Sequence, residues 1–177
     1  MSPLLGPGQP AGPRVPLSPG RRGALSGPQV VLPTAADTAA FGRRLAAVLR
    51  PGDLVVLTGP LGAGKTVLVQ GIGAGLGVTG RVVSPTFVIA RVHRGRLPLV
   101  HVDAYRLGSI EEVDDLDLEV DADDAVTVVE WGAGLVEQLT DARLEIALSR
   151  SPDSPQRTAR LLPVGGDWPE RVATLVE

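Results

Sequence analysis

LVVLTGPLGAGKTVLVQ, Leu54 to Gln70, is the stretch that decides the fold of this chain. Leu54-Val55-Val56-Leu57 has the composition of a buried strand. Gly59 to Thr66 fits G-x-x-x-x-G-K-[ST], and Val67-Leu68-Val69-Gln70 opens a helix. Strand, glycine-rich turn and helix, in that order, make a phosphate-binding loop. The glycines let backbone N–H groups turn inward around phosphate oxygens, and the helix aims its positive dipole end at the same anion. Gly59, Leu61, Gly62, Ala63, Gly64, Lys65, Thr66 and Val67 are therefore the expected nucleotide contacts. In that motif the lysine reaches the β- and γ-phosphates and the Thr66 hydroxyl ligates magnesium.

The glycines alone carry little weight, since the chain has 22 among 177 residues. The lysine carries more. Lys65 is the sole lysine, and the other sixteen basic residues are arginine. A composition that dispenses with lysine elsewhere keeps one where a phosphate loop needs it.

Length favours one domain. Cysteine is absent, which excludes disulfides, thiolate metal sites and thiol nucleophiles. No apolar run approaches the roughly 20 residues needed to span a bilayer, and no basic-then-apolar leader opens the chain. A cytoplasmic protein with ATP at hand is the expectation. The net charge of −3 argues against a protein that holds DNA or RNA unaided. Residues 1–28, with seven prolines and six glycines and no apolar periodicity, are expected to form a disordered extension to a folded domain over 29–177. Arg14, Arg21 and Arg22 read as charges that keep that tail solvated.

Within the domain, strands and helices alternate. Val30-Val31-Leu32 reads as a strand. Thr34, with Asp37 three positions on, reads as the cap of an amphipathic helix through Leu49. The loop helix is expected to run to about Gly77, with Gly71, Gly73 and Gly75 allowing close packing. Phe87–Val92 and Leu97–Val102 read as a hairpin across His93-Arg94-Gly95-Arg96, which makes the sheet mixed. Val126–Val129, Arg143–Leu148 and Thr158–Val164 read as further strands, and a helix from Pro169 closes the chain. The expected fold is a three-layer α/β domain built around the phosphate loop, with a mixed, mainly parallel central sheet.

Hydrolysis needs carboxylates near the magnesium. Val126-Thr127-Val128-Val129-Glu130 and Leu99-Val100-His101-Val102-Asp103 are apolar runs that end in an acid, at the crevice where open α/β sheets bind ligands. One acid is expected to help hold magnesium and the other to orient the attacking water. Thr86 of Ser84-Pro85-Thr86-Phe87 offers a hydroxyl where switch-type loops sense a γ-phosphate, or else simply starts a strand. Trp131 reads as core, with a shield that keeps water from the site as the alternative, and His93 and His101 read as lone histidines without a ligand cluster. The acidic run from Glu111 to Asp124 lacks calcium-loop order and reads as a solvated helical face, with a docking surface for a basic partner as the alternative.

The set LTGPLGAGKT, SPTF, HVDAYRL and VEWG, in this order, resembles the TsaE family over about residues 30 to 135. The resemblance implies a single-domain ATPase of the bacterial tRNA threonylcarbamoyladenosine pathway that works with TsaB and TsaD and resets their complex between turnovers. It implies tRNA contact only through that complex. It places magnesium ligands on Thr66 and Glu130, and catalytic roles on Lys65, Asp103 and Thr86. Val88-Ile89-Ala90-Arg91 is less polar than the resemblance leads one to expect. A GTPase would carry N-K-x-D or T-K-x-D, which a chain with one lysine lacks. A P-loop small-molecule kinase is the enzymatic rival, with Arg91, Arg94 and Arg96 imitating a lid. A nucleotide-gated assembly subunit is the non-enzymatic one.

Overall fold

A computed structural model describes residues 27–85, 89–106, 121–134, 140–151 and 153–176. Among these lie seven strands: β1 (Gln29–Leu32), β2 (Leu54–Thr58), β3 (Ala90–His93), β4 (Leu99–Asp103), β5 (Val126–Glu130), β6 (Arg143–Arg150) and β7 (Arg157–Val164). The helices are α1 (Ala35–Ala46), α2 (Lys65–Gly75) and α3 (Trp168–Val176). The seven strands form one sheet in the order β1-β7-β6-β2-β5-β4-β3. Its centre, β6-β2-β5-β4, is parallel. β7 and β3 run the other way, and β3 pairs with β4 as the expected hairpin. The mixed, mainly parallel α/β sheet is as the sequence leads one to expect.

Alternation along the strands sorts their side chains onto two faces. Val55, Leu57, Leu99, Val126, Val128, Leu144 and Ile146 face the helices and form one core with Phe41 and Leu45 of α1, Leu68 and Ile72 of α2, and Trp168 and Val172 of α3. Leu54, Val56, Val100, Val102 and Val129 form a second cluster on the opposite face with Ala104 and Ala125. Among the described residues the three α-helices lie on the first face; the acidic run from Glu111 to Glu119 lies outside the described residues.

The capping box at α1 forms as the sequence indicates. Asp37 N–H donates to Thr34 Oγ1 at 3.2 Å, and Thr34 N–H donates to Asp37 Oδ2 at 2.9 Å. The helix ends at Ala46 rather than Leu49, because Ala47 and Val48 tighten onto Arg44 and Leu45 in i→i−3 bonds. α2 also ends early, at Gly75. There Val78 N–H donates to Gly73 O and Gly77 N–H to Ala74 O, a Schellman turn with Gly77 at φ 74°. Strand β3 begins at Ala90, after Ile89 takes a left-handed φ of 68°. Of the segment expected to be an extension, Pro28 already accepts a hydrogen bond from Leu161 N–H at 2.9 Å.

The glycines of α2 bring its backbone against α1. A Cβ at Gly71 would stand 2.2 Å from Ala39 O, and one at Gly75 would stand 2.4 Å from Ala46 Cβ. This close packing fixes where the N-terminus of α2 points. At the other end of β2, Arg171 of α3 forks onto Asp53 at 2.6 and 3.0 Å and stacks over Trp168. Gly71→Ala therefore tests the packing against helix propensity. Alanine gains about 1 kcal/mol as a helix former, but a contact that short with backbone forces the helices apart, at a cost of roughly 1–3 kcal/mol or more. The variant is expected to melt at a lower temperature than the parent; a higher melting temperature would show that the two helices separate freely.

Candidate functional site

The phosphate loop occupies the turn from β2 into α2. Gly59, Gly62 and Gly64 take φ of 139°, 78° and 103°, values that a side chain resists. Gly64 is the N-cap of α2 with no side-chain cap, so the first N–H groups of that helix face the loop's concavity. Lys65 is buried, and its Nζ donates to Gly59 O at 2.8 Å and to Pro60 O at 3.2 Å. It also lies 3.9 Å from the centroid of the Trp131 ring. Burial pushes its pKa below the ordinary lysine value, while the Glu130 and Asp103 carboxylates pull it back up. The ammonium is thus held by neutral carbonyls and a ring face, contacts that a phosphate's charged oxygens can replace.

The two expected acids come together. β5 lies beside β2, and β4 lies next to β5. Parallel register sets Asp103 opposite Glu130, and both side chains point to the helical face, as Leu99 and Val128 do. Both are buried. Thr66 Oγ1 donates to Glu130 Oε1 at 3.4 Å, so the two expected metal ligands are adjacent. Asp103 Oδ1 accepts from Tyr105 N–H at 3.0 Å. Thr86 lies outside the described residues.

His101, which the sequence presents as a lone histidine, belongs to this site. It is fully buried, and its Nε2 lies 2.8 Å from Glu130 Oε1. Trp131, which reads from sequence as core or as a shield over the site, lines the cleft. It takes a left-handed φ of 64°, is half-buried, and meets Tyr105 edge-on at 5.4 Å. A strained φ of this kind costs of order 1–3 kcal/mol and points to a constraint at the site; here it brings the ring over Lys65. Arg157, at the start of β7, is a further residue that no sequence pattern marks.

Apart from Gly59, Pro60 and the buried His101, these residues line one cleft of about 650 Å³, whose walls include Gly62, Gly64, Lys65, Thr66, Asp103 and Glu130. Leu61 and Tyr105 stand largely exposed at its mouth. The hairpin arginines Arg91, Arg94 and Arg96 are not among the described residues that line it.

The family profile described as threonylcarbamoyl adenosine biosynthesis protein TsaE matches residues 32–159. The chain belongs to the TsaE family. The tRNA threonylcarbamoyladenosine biosynthesis protein TsaE of Streptomyces coelicolor is 57% identical over 130 residues, 71% of this chain and 88% of that protein. Its namesake in Mycobacterium tuberculosis is 48% identical over 149 residues, 78% of this chain and 89% of that protein. The crystal structure of Bacillus subtilis YdiB superposes with a TM-score of 0.70 at 32% identity, covering 85% of this chain and 94% of that one. All four segments that carry the TsaE resemblance lie inside the matched region.

The donor set suits magnesium. Among the described residues no group of three histidine or acidic side chains forms a closed cage. A hydroxyl and a carboxylate beside a phosphate loop instead match an ion that takes its remaining ligands from phosphates and water. His101→Asn, which removes the contact on Glu130 Oε1, is expected to raise the magnesium concentration needed for nucleotide binding about tenfold or more. Titrating magnesium against nucleotide affinity reads this directly, and an unchanged midpoint would mean that Glu130 needs no such support.

Proposed function

We propose that this TsaE-family chain binds and hydrolyses ATP as a subunit of the machinery that makes threonylcarbamoyladenosine in tRNA, with TsaB and TsaD as its partners. The observation that carries the reading is the meeting of Lys65, Thr66, Asp103 and Glu130 at one end of the sheet, within one cleft. The loop N–H groups and the α2 dipole hold the phosphates, and Lys65 neutralises charge on them. Thr66 and Glu130 are placed to hold magnesium, which when bound stabilises charge on the phosphate oxygens. Asp103, whose backbone neighbour Tyr105 fixes one carboxylate oxygen, is left to orient the attacking water. Trp131 and Tyr105 shield the site from solvent on one side.

Partner dependence has its own support. Leu61 is 93% exposed and Tyr105 69% exposed. Both stand at the mouth of the cleft that holds Lys65, Asp103 and Glu130, where a second protein would cover apolar surface and exclude water. Hydrolysis is accordingly slow alone and faster with TsaB and TsaD.

The experiment is an ATPase assay of the full chain, alone and with both partners, with Lys65→Ala as the blank. Stimulation that the variant lacks is the expected outcome; release of ADP driven by a small metabolite, indifferent to the partners, would return the kinase reading. Losing one such electrostatic group commonly lowers the rate about 100- to 1000-fold. Glu130→Ala is further expected to raise the magnesium requirement more than Asp103→Ala does, and Asp103→Ala to depress turnover at saturating magnesium. A magnesium titration with the opposite pattern would exchange the two roles.

A further inference from the structure

Arg157 lies on the flank of the phosphate loop opposite the two acids. It opens β7, paired with Arg150 at the end of β6, so it emerges at the same sheet edge as the loop. Asp103 and Glu130 come from β4 and β5 on one side of β2; β6 and β7 lie on the other. Its side chain lies along the loop backbone. A Cβ added at Gly64 would stand 3.0 Å from Arg157 Nε and 3.1 Å from its Cδ, and Arg157 lines the same cleft as Lys65. One end of the guanidinium is tethered, with Nη1 donating to Pro155 O at 2.8 Å. Nε is buried and has no hydrogen-bond partner among the described residues. No carboxylate pairs with the group there either.

A half-buried guanidinium with an unused donor, held against a loop that binds anions, is arranged to meet an anion. The acids determine which one. Thr66 and Glu130 set the metal, and with it the β- and γ-phosphates, on the β5 side. The nucleotide then extends across the loop toward β6 and β7. We infer that Arg157 contacts the α-phosphate of the bound adenine nucleotide, so that the site distinguishes a nucleoside phosphate from inorganic phosphates. The inference rests on the nucleotide-binding reading above and assigns to that site a residue the loop motif does not contain.

The test is calorimetric binding of two probes, ADP and inorganic pyrophosphate, each with magnesium, to the full chain and to Arg157→Ala, Arg157→Lys and Lys65→Ala. Pyrophosphate lacks the nucleoside-bearing α-phosphate, and with magnesium on Thr66 and Glu130 it is expected in the β- and γ-positions. Arg157→Ala is expected to weaken ADP about tenfold or more, the change that goes with loss of a charge-assisted hydrogen bond, and to leave pyrophosphate affinity as in the parent. Arg157→Lys is expected to recover part of the ADP affinity, since it restores the charge without the planar fork. Lys65→Ala should lose both probes. Unchanged pyrophosphate binding also shows that the variant's loop is folded. Parental ADP affinity in Arg157→Ala would overturn the assignment, and so would equal losses of ADP and pyrophosphate, which would place the residue on the shared phosphates or on loop stability. If the parent chain bound neither probe, the nucleotide reading itself would fall, and this assignment with it.

Discussion

Everything at this site depends on the parallel pairing of β4, β5 and β2. Parallel register carries Asp103 and Glu130 to the same level at the end of the sheet and on the same face. A slip of one residue would turn both acids to the opposite face, because the side-chain period of a strand is two. The apolar residues guard against that slip: Leu99, Val126 and Val128 are packed into the helical core, while Val100, Val102 and Val129 fill the opposite cluster. The core thus specifies the position of the acids, although neither acid contributes to its hydrophobic burial.

Burying charges at the end of a sheet is costly unless they have partners. Here they are arranged in a chain of contacts, from His101 to Glu130 to Thr66 on one side. On the other side Lys65 is bonded to the carbonyls of Gly59 and Pro60 and covered by Trp131. The depressed pKa of Lys65 records that cost, since burial outweighs the attraction of the two carboxylates. Phosphate oxygens would offer the ammonium stronger acceptors than neutral carbonyls do. Rigid placement by α1 and α2 matters for the same reason, because preorganised donors cost no reorganisation when charge develops.

Most of this was legible in the sequence, for reasons that differ by element. The phosphate loop, the Thr34–Asp37 cap and the acids that end β4 and β5 are local patterns, and local geometry enforces them. His101 was not legible because an isolated histidine in a β-rich run looks the same whether or not an acid lies beside it; only strand order brings Glu130 within 2.8 Å. Trp131 reads as core or as a shield because its ring lies over Lys65 only through a left-handed φ at the tryptophan itself, which no residue type there signals. Arg157 belongs to a strand on the far flank, and its contact with Gly64 depends on the β7–β6–β2 order. The ends of α1 and α2 fall a few residues short of the apolar periodicity because tightened final turns and a Schellman turn are decided by hydrogen bonds.

The central claim is that one metal-nucleotide site forms between α2 and the ends of β4 and β5. The most direct measurement is a crystal structure of the chain with magnesium and a non-hydrolysable ATP analogue. The account predicts phosphates enclosed by Gly59 to Thr66, a metal on Thr66 Oγ1 and the Glu130 carboxylate, and Lys65 Nζ moved from the Gly59 and Pro60 carbonyls onto phosphate. A nucleotide seated elsewhere, or a metal held without Thr66 and Glu130, would contradict it.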